Sequence, residues 1–195
     1  MLDPHAPVLL AWLQALPADA PSLAPATLQA LHAAGARALY QAVQGGEARL
    51  YAPADADMAA LRRLLPQARW LRLQPLWHRA GQAAGRPAPW HYVVATDVLP
   101  EHEADFNAWY ETEHAPGLAA VPGTVQASRW LCEEAGPGSP RYHACYELAE
   151  EQAFGSPAWL AVRATDWSSR VRPHFRNTRR TMFRRVDLVP LAPPA

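Results

Sequence analysis

Lysine is absent from the 195 residues, and all 18 basic side chains are Arg. A chain without Lys forms no Schiff base with a carbonyl substrate, holds no pyridoxal phosphate through an imine and builds no P-loop. Cysteine is scarce, with only Cys132 and Cys145. They fall on neighbouring predicted strands, which leaves a cross-strand disulfide open. Two buried thiols in a reducing cytoplasm is the simpler reading, so a cytoplasmic location is expected. No H-x-x-x-H or C-x-x-C spacing occurs, and no metal site is expected. No apolar run approaches the roughly 18 residues needed to cross a bilayer, and no membrane partner is expected. The short apolar run near the N-terminus has no basic segment before it and reads as a strand rather than a signal peptide. Formal net charge is +0, which removes any global attraction to nucleic acid. Ser-His-Asp, Walker and dinucleotide signatures are missing as well.

Hydrophobic residues make up half of the chain and charged residues 18%, enough for a packed core. The charge is uneven: residues 1–89 carry 8 Arg and 5 acids, residues 90–195 carry 10 Arg and 13 acids. The pattern of elements repeats across the same division. In the first half, 7–16 reads as a strand and 22–36 as a helix stopped by Gly35. Residues 37–43 and 48–53 form a hairpin around Gly45-Gly46. Residues 55–66 read as a helix and 69–77 as a strand. A Gly/Pro-rich joint spans 80–89. The second half reads as strand 90–99, helix 101–114, strands 124–133 and 141–148, helix 152–165 and strand 176–189. Each half is therefore βαββαβ, which predicts an α+β fold of two tandem ferredoxin-like units, 1–80 and 90–190. Such units leave one sheet face bare, and packing sheet to sheet within the chain would cover it.

The stretch FNAWYETEHAPGLAAVPG (106–123), an Arg-bearing strand (ASRW), a Tyr strand (YHACYEL) and a SPAW segment follow one another in the second half. In these features the chain resembles the dimeric α/β-barrel superfamily, in a fused tandem-repeat form, and its second half resembles the EthD-like branch. That superfamily includes cofactor-free monooxygenases, polyketide cyclases, isomerases and haem-handling enzymes. The resemblance implies a small-molecule cleft between helices and sheet in the C-terminal unit, without fixing one reaction. No cofactor is called for, although haem is left open.

At 100° per residue from Phe106, Trp109, Tyr110 and Glu113 fall on one face of the helix, and His114 and Asn107 on its border. A carboxylate inside an apolar stripe is costly unless paired or hydrogen-bonded. Three readings of Glu113 stand open: an ion pair with an Arg such as Arg129, a frayed end reaching water before Pro116, or a cleft group with a raised pKa. His114 either complements the helix C-terminus or transfers protons beside Tyr110 and Asn107. His114, Glu113 and Tyr110 are thus the candidate catalytic residues, with Asn107, Arg129 and Tyr146 as ligand contacts. Pro116 is expected to stop the helix, and Pro122-Gly123 to turn the chain. His91 and His143 sit on strand faces whose role the period alone leaves open. The Arg of 170–185 are expected to meet the acids of 97–113, or water, rather than nucleic acid. The sequence supports a small-molecule binder, either a cofactor-independent enzyme of proton transfer or monooxygenation, or a non-catalytic accessory protein. It is compatible with a monomer or a homodimer.

Overall fold

The structure, a computed structural model, describes residues 3–14 and 23–189. Its elements are β1 (Val8–Leu13), α1 (Pro25–Ala33), β2 (Ala38–Ala42), β3 (Ala48–Pro53), α2 (Met58–Leu64), β4 (Arg69–Ala80) and β5 (Trp90–Val98). They continue with α3 (Glu103–Trp109), α4 (Ala115–Ala119), β6 (Thr124–Cys132), β7 (Tyr142–Leu148), α5 (Pro157–Arg163), α6 (Asp166–Val171) and β8 (Phe175–Val186). Parts of the expected first strand (15–16) and first helix (22) lie outside the described residues.

The chain divides into two compact units, one of residues 1–74 and 183–195, the other of residues 75–182. The first orders its strands β4-β1-β3-β2-β8, with every pair for which a register is defined antiparallel. Its core gathers Leu9, Ala11 and Leu13 of β1 with Leu28 and Leu31 of α1, Leu50 of β3 and Leu61 of α2. Local chemistry explains the helix starts. Pro25 occupies the first turn of α1, where a missing N–H costs nothing. Asp57 caps α2 by accepting from the Ala60 N–H at 2.9 Å. On β3, Arg49 is buried between the rings of Trp12 and Phe183 and pairs with Glu47 at 3.0 Å.

The second unit orders its strands β8-β5-β7-β6-β4. In register, Tyr92 lies opposite Tyr146 and Tyr146 opposite Ala127, one step from Val94, Ala144 and Arg129. With period 2, these residues share one sheet face. That face packs against Phe106, Trp109, Tyr110, Leu118 and Trp159 from the helices, forming the larger aromatic core. Burying Phe106 and Trp109 contributes about 2–3 kcal/mol each. His91 and His143 sit on the opposite face of the sheet, and His143 bonds the Pro140 carbonyl at 3.0 Å. The two cysteines are buried and are not joined in a disulfide. Cys145 lies opposite Ser128 while Cys132 lies beyond Leu131, so the register keeps the two thiols apart.

Two sequence expectations are corrected here. Pro116 does not stop the helix. After α3 the backbone widens into a π-turn, Tyr110–His114, in which the Ala115 N–H bonds the Tyr110 carbonyl five residues back. The wider turn leaves Pro116 in the first turn of α4, where it lacks no needed donor, and the helix runs on to Ala119. The segment expected as one helix over 152–165 begins only at Pro157, with Ser156 capping it, and a further helix, α6, follows from a Thr165 cap. Gly123 does turn the chain. Its φ is +88°, a conformation that strains any side chain, and an added Cβ would stand 2.8 Å from Ala153.

Candidate cleft in residues 75–182

The π-turn decides which side chain enters the core. Each of its residues advances less than 100°, so positions after Tyr110 lag behind the α-helical count. His114 swings inward and is 7% exposed, while Glu113 moves to the half-exposed edge. The imidazole of His114 stacks on Trp109, with centroids 4.2 Å apart and planes at 21°, and meets the edge of Tyr110 at 5.3 Å. Glu113 accepts a hydrogen bond from the Thr165 hydroxyl at 2.6 Å, and the same hydroxyl accepts from the Ser168 N–H at 3.1 Å. Glu113 thus ties the π-turn to the start of α6. Among the described residues it forms no ion pair with an Arg, and its half-exposed carboxylate is held by Thr165 within a continuous helical segment.

Arg129 takes a different carboxylate. Its Nη1 lies 3.6 Å from Glu111, and its Nη2 donates to Asn107 Oδ1 at 2.7 Å. The buried guanidinium sits 4.3 Å from the Tyr110 ring centroid and also faces Phe106 and Tyr142. Asn107 in turn donates weakly to the Tyr142 hydroxyl at 3.4 Å, and that hydroxyl donates to Glu103. Arg129 and Asn107 therefore form a polar platform against Tyr110, with the cation held by ring faces and hydrogen bonds.

A cleft opens beside this platform. Tyr92 and Val94 of β5, Trp109, Tyr110, His114 and Leu118 of the helical hairpin, and Tyr146 of β7 line it. Trp159 and Arg163 of α5, Arg172, Phe175 and Arg180 complete the lining. It encloses some 380 Å³ of unfilled space, part of it solvent at the open mouth. Three of the expected site residues, Tyr110, His114 and Tyr146, meet here. Glu113, Asn107 and Arg129 are not among its lining residues. Tyr92, Trp159 and three arginines enter without having been singled out in the sequence. SPAW already marked Trp159, and the Arg run held Arg172 and Arg180. Nothing in the spacing separates these two from Arg170, which pairs with Asp105 at 3.0 Å as expected for that run.

The cleft is neutral inside and cationic outside. Burial holds the His114 imidazole far below its usual range, at about 3, and Arg163, Arg172 and Arg129 push the same way. His114 is therefore neutral at pH 7. Burial pushes the Tyr110 hydroxyl up to about 12 against the pull of Arg129, and it also holds Tyr146 well above the ordinary phenol range. Three polar atoms of lining residues, Tyr146 Oη, His114 Nδ1 and Trp109 Nε1, are buried without a protein hydrogen-bond partner. Buried polar atoms are ordinarily satisfied, and water or a ligand's polar groups are what remain to do it here. Among the described residues, no group of three or more His, Cys, Asp and Glu could hold a metal ion. No helix among the described residues is long and apolar enough to cross a membrane.

No family model and no curated protein matches the sequence. Solved structures do match the fold. An anthrone oxidase-like protein is 15% identical with a TM-score of 0.64, over 94% of this chain and 92% of that one. A "Putative monooxygenase" of Fusobacterium nucleatum subsp. nucleatum ATCC 25586 is 10% identical with a TM-score of 0.63, over 93% of each chain. A mutant chlorite dismutase of Candidatus Nitrospira defluvii, in complex with cyanide, is 12% identical with a TM-score of 0.57, over 93% and 91%. At such identities the likeness shows the fold alone: the chain is an α+β protein that shares the fold of these structures.

Proposed function

We propose that the cleft of residues 75–182 binds a small aromatic or polyketide-like molecule and carries out proton transfer on it without a cofactor. This would serve as the opening step of a monooxygenation or as a reaction in itself. The observation that supports this most is the neutral, buried His114 lining an aromatic cleft, with its Nδ1 lacking a protein partner in a lining that also holds the unpartnered Tyr146 hydroxyl. The aromatic lining, Trp109 and Trp159 among it, suits a flat aromatic ligand, and a neutral imidazole is the form that accepts a proton. Tyr110 supports the imidazole edge-on, and the Arg129–Asn107 platform fixes Tyr110. Glu113 acts through position, holding the π-turn by way of Thr165.

The reading includes two ferredoxin-like units in tandem, the second EthD-like. The strand orders of the two units, each with its own first strand between its third and fourth, support it. The buried Cys132 and Cys145, not joined in a disulfide, support a reducing, cytoplasmic setting. The printed names of an anthrone oxidase-like protein and a monooxygenase on this scaffold favour oxidation of an aromatic substrate. A second reading, ligand binding without turnover, is favoured by one observation: the cleft has no carboxylate among its lining residues to support a weakly basic imidazole.

The test is a crystal structure grown with a hydroxylated polycyclic aromatic, together with turnover and binding by His114→Ala. Density between Trp109 and Trp159 with turnover lost in a folded variant supports the enzyme. Density with unchanged binding and no turnover in either protein leaves the accessory reading. Density elsewhere on the chain removes both.

A further inference from the structure

Arg163, Arg172 and Arg180 come from three separate elements, yet they line one opening. None of them forms an ion pair among the described residues; Arg172 donates only to the Arg163 carbonyl, at 3.2 Å. The acids that could have answered them are engaged elsewhere. Asp105 pairs with Arg170, Glu103 with Arg141, Glu111 with Arg129, and Glu113 accepts from Thr165. Three guanidiniums are thus held together without a counter-charge. Burial and the repulsion of Arg163 and Arg180 depress the pKa of Arg172. Gathering like charges costs free energy unless an anion relieves it.

The cleft also has a direction. Its inner residues, His114 and Tyr146, are buried and carry unpartnered polar atoms, while Arg172 and Arg180 are exposed at the mouth. Between them stand the aromatic walls, Tyr92, Trp109, Trp159 and Phe175. We infer that the ligand is an aromatic anion bound end-on: a hydroxyl or carbonyl faces His114 and Tyr146, the rings lie between the tryptophans, and a carboxylate or phenolate meets Arg163, Arg172 and Arg180. This rests on the proposed cleft and narrows its substrate class. Guanidinium–carboxylate contacts are charge-assisted and often bidentate, so the anionic end supplies both affinity and orientation.

The probes are 6-hydroxy-2-naphthoate, which carries a hydroxyl and a carboxylate at opposite ends, and its neutral amide, 6-hydroxy-2-naphthamide. Binding to the full chain is read by quenching of tryptophan fluorescence. The acid is expected to bind about tenfold to a hundredfold tighter than the amide. That advantage should shrink between about 20 and about 500 mM NaCl. It should vanish in the double variant Arg172→Gln, Arg180→Gln, with amide binding unchanged, and persist in Arg170→Gln. Both altered arginines are exposed, so the fold is expected to survive, and circular dichroism checks it. Equal binding of acid and amide would overturn the anion and leave the aromatic cleft standing. Loss of the advantage in Arg170→Gln instead would also overturn it, because the anion would then sit outside the cleft. Failure of both probes to bind would overturn the cleft itself, and the inference with it.

Discussion

His114 offers a measurement that depends on where the π-turn places it. In the unfolded chain an imidazole takes up a proton below about pH 6.5, whereas in the fold burial keeps it neutral down to about 3. A depressed histidine makes the folded state lose stability as pH falls through the unfolded value, and the loss stops growing near the folded one. At pH 7.5 the contribution is close to nil. At pH 5, 1.5 units below the unfolded value, each unit counts for about 1.4 kcal/mol, so the cost is about 2 kcal/mol. The comparison is with His114→Phe, which keeps a ring against Trp109 and does not titrate. Urea unfolding of both proteins at pH 7.5, 6.5 and 5 supplies the stabilities. The carboxylates and the other histidines contribute alike to both proteins and cancel in the difference. Wild type minus variant should fall by about 2 kcal/mol between pH 7.5 and 5, almost all of it below pH 6.5. A difference that stays constant within about 0.5 kcal/mol would refute the buried, neutral state assigned to His114.

Other perturbations follow from the same geometry. Tyr146→Phe removes a buried hydroxyl that has no protein partner, so stability should hold or rise by up to about 1 kcal/mol while binding of the hydroxylated probes weakens; a clear loss of stability would show the hydroxyl to be satisfied after all. Thr165→Val removes both the α6 cap and the partner of Glu113 and should cost about 1–2 kcal/mol in urea unfolding, with Thr165→Ser restoring most of it. Gly117→Ala puts a methyl 2.8 Å from Val162 Cγ1 and should cost about 1–3 kcal/mol, part of which Val162→Ala in the same chain recovers; full stability of the single variant would count against the close approach of α4 and α5.

The order of elements could be read from the sequence because the pattern is carried by short-range signals. Alternation in WHYVVATDV, the Gly45-Gly46 hairpin and the acids opening 101–114 all lie within a few residues of what they specify. Every expected strand is present in the described residues, with β4 and β8 beginning within a residue of expectation. What failed is also local in origin. The span expected as one helix, 152–165, gives Thr165 no signal that sets it apart as a second cap, so α6 does not stand out in the sequence. The face of β5 that lines the cleft, Tyr92 and Val94, was indistinguishable by period from the face of His91 and Val93, because both are apolar enough to be buried. Only partners distant in sequence distinguish them, Tyr146 and Trp159 against Tyr92.

The candidate site shows the same limit more sharply. The helical count placed Glu113 in the stripe and His114 on its border, and a single π-turn exchanges them. Nothing in YETEH marks a five-residue turn, but Pro116 supplies a reason for one. In an unbroken α-helix its ring would clash with the Thr112 carbonyl and remove a bond from the interior. Widening the preceding turn moves Pro116 into the first turn of a new helical segment and lets the chain continue to Ala119. The proline taken as a stop is thus a cause of the inward histidine. It follows that a substitution relieving Pro116 acts on the site without touching the cleft. If Pro116→Ala lets the helix close to regular geometry, Glu113 is driven toward the aromatics and His114 toward the border, and the acid-dependent loss of stability assigned to His114 should shrink. If that loss is undiminished in Pro116→Ala, the packing of Trp109 against His114, rather than the proline, holds the turn open.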